Sequence, residues 1–105
     1  MRVVVAGGGQ VGALIARRLS RERNEVVIVE PDPARVRQLE AQLDAEVVQG
    51  SASRILTLRR ARVADADMLI AVTNSDEANV LACLIAQAEG PVRVKVARIR
   101  TYEVD

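Results

Sequence analysis

RVVVAGGGQVGALIARRL, residues 2–19, runs from an apolar β-branched stretch into three consecutive glycines. A fourth glycine follows inside a helical pattern. The apolar residues of 2–6 read as a buried strand. From Val11 to about Arg21, Val11, Leu14, Ile15 and Leu19 fall at helical spacing. Gly7, Gly8, Gly9, Gln10, Val11 and Gly12 between them match G-x-G-x-x-G. The pattern alone is weak, but here it follows a strand and opens a helix, the context in which it signals a phosphate-binding turn. Gly7 permits the tight turn, Gly9 lets a pyrophosphate approach the backbone, and Gly12 allows close packing of the helix. The helix N-terminus then offers free amides and the positive end of its dipole to phosphates.

The same alternation continues outward. EVVIVE (25–30) is a second strand. Asp32 is placed to cap the next helix, with Pro33 at its first position. Val36, Leu39 and Leu43 form that helix's inner stripe. AEVVQG (45–50) is a third strand, residues 53–61 a less regular helix, and DMLIAVT (67–73) a fourth strand. Asn74, with Glu77 three residues on, reads as a capping box for a helix ending at Gly90-Pro91. VRVKVARI (92–99) is a fifth strand. Its valines alternate with Arg93 and Lys95, which suggests an edge strand with one face near solvent. Five strands alternating with helices through short connections imply parallel pairing and right-handed crossovers. The expected fold is α/β: a Rossmann-like doubly wound parallel sheet in order 3-2-1-4-5, one domain over 1–105. The ligand crevice is expected at the carboxyl ends of strands 1 and 4.

Two further pieces border that crevice. Glu30 ends strand 2, 18 positions after Gly12, where a carboxylate binds both ribose hydroxyls of an adenosine. It repels a 2′-phosphate, which favours NAD or NADH over NADP. Asp32 competes for the role, but its place before Pro33 suits a cap better. In AVTNSDE (71–77), Thr73 and Asn74 bring hydroxyl, amide and backbone donors to the end of strand 4. Asn74 is read either as a cap alone or as a cap that also touches ligand. Arg98, at the end of strand 5, reaches either phosphate, a neighbouring subunit or solvent.

Composition narrows the function. The 105 residues carry a net charge of +1, so no global field recruits nucleic acid or anionic lipid. Lys95 is the only lysine and Tyr102 the only aromatic, where a single-strand nucleic-acid binder wants stacking rings. Histidine is absent. The one cysteine, Cys83, permits no disulfide within the chain and no cysteine-based metal site, and reads as a small buried residue on a helix. No apolar run approaches the roughly 20 residues of a membrane span. The first apolar run leads straight into glycine, unlike a signal peptide. A cytoplasmic location is expected.

These pieces together resemble the N-terminal nucleotide-binding domain of TrkA-type proteins, also called KTN or RCK domains. GGGQVG is similar to that family's glycine loop, and ADADMLIAVTNSDEANVLAC (64–83) to its most distinctive segment. ARIR (97–100) followed by Tyr102 also matches. The resemblance implies a regulator on the cytoplasmic face of a potassium uptake transporter or channel, assembled from dimers into a homo-oligomeric ring. It implies binding of NAD(H), or of ATP or ADP in some relatives, through Gly7 to Val11, Glu30, Thr73, Asn74 and Arg98. Gln10 resembles the NAD-type branch, since ATP-preferring relatives tend to carry arginine there. Three positions depart from the family. Glu30 stands where aspartate is usual. Gly50-Ser51 replaces Gly-Asp or Gly-Asn, whose side chain sits near adenine. Arg62 replaces a glycine, so that either the arginine adopts a left-handed conformation or the helix ends differently. Such relatives continue into a crossing helix and a second small domain, so the chain is expected to be part of a longer protein.

Asp65, Asp67, Asp76 and Glu77 read as turn and first-helical-turn acids, not a catalytic or metal-binding cluster. A non-enzymatic sensor is therefore expected. The alternatives are a cofactor-binding fragment of an NAD-dependent dehydrogenase and a passive assembly module. Ala78, Leu81, Ala82, Ile85 and Ala86 mark the fourth helix as either a subunit interface or a deeply buried helix.

Overall fold

The computed structural model describes residues 1–100. Tyr102 lies outside the described residues. Strand β1 spans Arg2–Ala6, helix α1 Gln10–Arg21, β2 Glu25–Glu30, α2 Pro33–Gln42 and β3 Glu46–Gln49. Then come α3 at Ile55–Arg60, a 3₁₀ turn at Val63–Asp65, β4 at Met68–Ala71, α4 at Asp76–Glu89 and β5 at Val94–Ala97. The five strands form one sheet in order β3-β2-β1-β4-β5, and every neighbouring pair is parallel. The doubly wound fold and its strand order are those expected from the alternation of elements.

Two cores form, one on each face. Val4, Ala6, Val27, Val29, Leu69 and Ala71 pack beneath Leu58 of α3 and Ala82 and Ala86 of α4. Val3, Val5, Val26 and Ile28 point the other way, toward Ala16 of α1 and Leu39 of α2. Both faces of β1 and most of β2 are covered, so these strands are continuous apolar runs, as parallel sheets require. Asp32 caps α2 through a 3.1 Å bond from the Ala34 amide, with Pro33 at the first turn.

Some local expectations are corrected. The third helix is only six residues long, beginning at Ile55 and not at Ser53. Ser75, not Asn74, caps α4: its hydroxyl accepts from the Ala78 amide at 3.1 Å. The Ser75 amide itself donates to the Thr73 hydroxyl at 3.1 Å, which carries the turn one residue further before the helix starts. Strand β5 is the expected edge with one face near solvent, and that face is the one carrying Val94 and Val96. Val94 and Val96 pair with Met68 and Ile70, on the α1 side of the sheet, where α1 lies over β1 and β2. Helix α4 covers the opposite face, so Lys95 is the half-buried residue, its Nζ donating to the Val92 carbonyl at 2.7 Å. Arg62 adopts the left-handed conformation, with φ 55° and ψ 49°.

Helix α4 is not deeply buried. Asn79, Ala82 and Ala86 face the sheet, while Val80, Leu81 and Leu84 are exposed on the outer side. Cys83 is part-buried against the core, not fully buried. Burial pushes its thiol above the ordinary value, against the opposing pull of the Lys95 charge.

Candidate nucleotide-binding site

The carboxyl ends of β1 and β4 diverge into helices on opposite faces, and a cleft of about 440 Å³ opens between them. That volume lies within the range of small-molecule sites. Gly7, Gly9, Gln10 and Val11 form one wall. Val29, Glu30, Pro31 and Arg35 close the β2 side, with Ser51 and Ala52 beyond. Val72, Thr73, Asn74, Ser75 and Ala78 form the β4–α4 side, and Arg98 reaches in from the end of β5.

Two glycines make the loop possible. Gly7 has φ +108°, and a Cβ there would lie 2.9 Å from the Thr73 nitrogen. Its amide continues the sheet by donating to the Val29 carbonyl at 2.8 Å. Gly12 is buried in the first turn of α1, where a Cβ would stand 1.8 Å from the Gly7 carbonyl oxygen. The helix therefore folds back onto its own loop, and only glycine permits that distance. The N-cap of α1 is Gly9, with no side-chain cap, and no acid occupies the first turn. The first-turn amides thus remain available to an anion at the positive end of the helix.

Glu30 is almost completely buried, with 5% of its side chain exposed. Oε1 accepts from the Gly8 amide at 2.9 Å and Oε2 from the Asp32 amide at 2.9 Å. The extra methylene relative to aspartate lets the carboxylate bridge the glycine loop and the start of α2. Each oxygen keeps a further lone pair. At the outer edge stands Arg35, whose Nη1 lies 3.8 Å from Oε1 and whose side chain is half exposed.

On the far wall, Thr73 is turned inward. Its amide donates to Asn79 Oδ1 at 2.8 Å, and its hydroxyl contacts the same oxygen at 2.7 Å. Its carbonyl accepts from Asn79 Nδ2 at 3.1 Å and from Arg98 Nη2 at 2.7 Å. Arg98 Nη2 also reaches the Val72 carbonyl at 2.9 Å, and Asn79 Nδ2 the Arg98 carbonyl at 2.9 Å. Thr73 therefore borders the cleft without the free donors that its position suggested. Its polar groups hold β4, α4 and the end of β5 together.

The structure thus gathers Gly7, Gly9, Gln10, Val11, Glu30, Ser51, Thr73, Asn74 and Arg98 around one cleft. Gly8 and Gly12 stand behind the wall, one as a donor to Glu30 and the other as a packing contact. Asn74, released from capping, is exposed at the rim. Two residues were missed. Arg35 follows Pro33 by two in the first turn of α2, which lies beside the end of β2; that spacing carried the signal. Asn79 shares a helical face with Ala82 and Ala86, a polar residue on a buried stripe. Of the acidic residues, Asp67 Oδ2 accepts from the Arg2 amide at 2.8 Å, and Asp76 and Glu77 lie in the first turn of α4.

The profile of the TrkA-N domain matches residues 3–104. The chain belongs to the TrkA-N family. Its relatives include the Trk system potassium uptake protein TrkA of Azorhizobium caulinodans, 48% identical over 95% of this chain. The TrkA protein of Halomonas elongata is 44% identical over the same share. This TrkA-N domain spans 22% of the length of either relative. Among solved structures, the GsuK channel bound to NAD superposes with a TM-score of 0.76 at 25% identity. That match covers 89% of this chain and 17% of the channel chain. No described helix of this TrkA-N domain is long and apolar enough to cross a membrane.

Proposed function

We propose that this TrkA-N domain is a non-enzymatic sensor of NAD or NADH that regulates a potassium uptake transporter or channel. The observation that carries the reading is the pairing of an uncapped α1 N-terminus with the buried carboxylate of Glu30 at the next strand end. The first suits a pyrophosphate and the second a ribose diol. The kinship with TrkA potassium uptake proteins and the likeness to part of a channel that is bound to NAD support both the ligand and the setting. The regulator acts on the cytoplasmic face, held at the membrane by its transporter partner. The exposed Val80, Leu81 and Leu84 on α4 support assembly into a homo-oligomer, since an apolar ridge of this kind marks a contact surface. Sensing then needs the ligand to favour one packing of the flanking helices over another.

A thermal-shift panel with NADH, NAD, NADPH, ATP, ADP and AMP, paired with an NADH-oxidation assay on small carbonyl compounds, tests the reading. Ligand at a hundredfold excess over its dissociation constant adds about 2.7 kcal/mol, well visible in a domain of this size. The expected result is stabilisation by NADH or NAD without turnover. Turnover would identify a dehydrogenase fragment, and no shift with any nucleotide would identify a passive assembly module.

A further inference from the structure

The cleft holds one feature that neither a glycine loop nor a ribose carboxylate accounts for. Arg35 projects from the first turn of α2 to the mouth of the cleft, half exposed. Its one ionic contact among the described residues is the 3.8 Å approach to Glu30, longer than a hydrogen bond. Glu30 is already held by the Gly8 and Asp32 amides and does not depend on the guanidinium for its placement. Arg35 Nη1 also lies 3.7 Å from the position a Cβ on Gly9 would occupy, and among the described residues it is the one atom beyond the glycine's own chain neighbours within 4 Å of that position. The guanidinium therefore stands beside the open face of the loop's central glycine. The other arginine lining the cleft, Arg98, commits Nη2 to the Val72 and Thr73 carbonyls. Of the two, Arg35 is the cation whose donors remain uncommitted.

We propose that Arg35 is the phosphate-binding cation of this site, and that it exchanges partners when a nucleotide enters. Without ligand it rests against Glu30. With an adenine nucleotide bound, the guanidinium swings onto the 5′-phosphate above Gly9, leaving the outer edge of Glu30 to the ribose hydroxyls. The exchange suits the chemistry. A planar guanidinium matches phosphate oxygens well, and the distance it now keeps from Glu30 leaves little to lose. The helix dipole alone supplies about half a positive charge, less than a nucleotide phosphate carries. The inference rests on the nucleotide reading above and names a residue of the same site.

Calorimetric titration of wild type, Arg35→Ala and Arg35→Lys with adenosine, 5′-AMP and 2′-AMP tests it. Arg35→Ala is expected to weaken 5′-AMP about tenfold, the loss of one hydrogen bond to a charged group, and to leave adenosine within about twofold. Arg35→Lys recovers part of the 5′-AMP affinity, and salt weakens 5′-AMP binding less in Arg35→Ala than in wild type. An equal loss for adenosine and 5′-AMP would overturn the inference, because the arginine would then act through the base or through Glu30. A loss confined to 2′-AMP would overturn it too, placing the guanidinium at the ribose edge, as would no loss at all. If wild type bound none of the three, the nucleotide reading itself would fall, and this inference with it. Arg35 is half exposed, so an unchanged melting profile in both variants separates binding from folding.

Discussion

Asn79, fully buried on α4, grips Thr73 at three atoms: its Oδ1 takes the Thr73 amide and hydroxyl, and its Nδ2 donates to the Thr73 carbonyl. A fourth bond, from Nδ2 to the Arg98 carbonyl, ties the same amide to the end of β5. Truncation to alanine strands several buried polar groups at once. Asn79→Ala is expected to cost about 2–4 kcal/mol in urea unfolding. Asn79→Asp keeps the shape but loses the Nδ2 donor and places a charge among carbonyls, so it is also expected to destabilise. A loss below about 0.5 kcal/mol for both would contradict this role.

Gly12→Ala places a methyl 1.8 Å from the Gly7 carbonyl oxygen, a backbone atom that cannot rotate away. The expected cost is about 3 kcal/mol, at the upper end of overpacking. In a domain of this size that lowers the midpoint by more than about 10 °C in a calorimetric scan.

Arg62→Gly is expected to stabilise. Arg62 holds a left-handed conformation at φ 55°, which disfavours a side chain, and its contact with Glu25 at 3.4 Å is largely exposed. Relief of the strain, offset by the greater freedom of glycine in the unfolded chain, leaves a gain of about 0.5 kcal/mol in chemical denaturation. An unchanged or lower midpoint would show that the arginine pays no conformational penalty there.

Cys83 is expected to alkylate more slowly with iodoacetamide than a free thiol at pH 8, because burial raises its pKa and holds it as the thiol. The sign for stability follows. With the folded pKa above the unfolded one, the contribution is full below the unfolded pKa and is lost as pH rises through the folded value. Cys83→Ser should remove that alkaline dependence in urea titrations across pH 8 to 11.

Much of this architecture was legible because parallel strands covered on both faces leave continuous apolar runs. EVVIVE matches β2 at both ends, and Asp32-Pro33 marked the start of α2. What stayed hidden depended on tertiary geometry. The alternation in β5 marks an edge strand with one face near solvent but does not say which face; α1 lies over β1 and β2, so it is the face of Val94 and Val96 that meets solvent. Asn74 and Ser75 are both good caps, and the choice was made by the Thr73 hydroxyl accepting the Ser75 amide. In the site, the glycines and Glu30 announced themselves by spacing. The inward turn of Thr73 could not, because it follows from Asn79, six residues away and on another element.

Titration of the purified domain with NADH, beside Glu30→Ala and with NADPH as the competing ligand, bears on the whole reading at once. The expected result is one saturable NADH site, weaker binding of NADPH, and a loss of about tenfold or more in Glu30→Ala while circular dichroism shows that the variant is folded. No NADH binding by the wild-type domain, or equal affinity in wild type and Glu30→Ala, would contradict it.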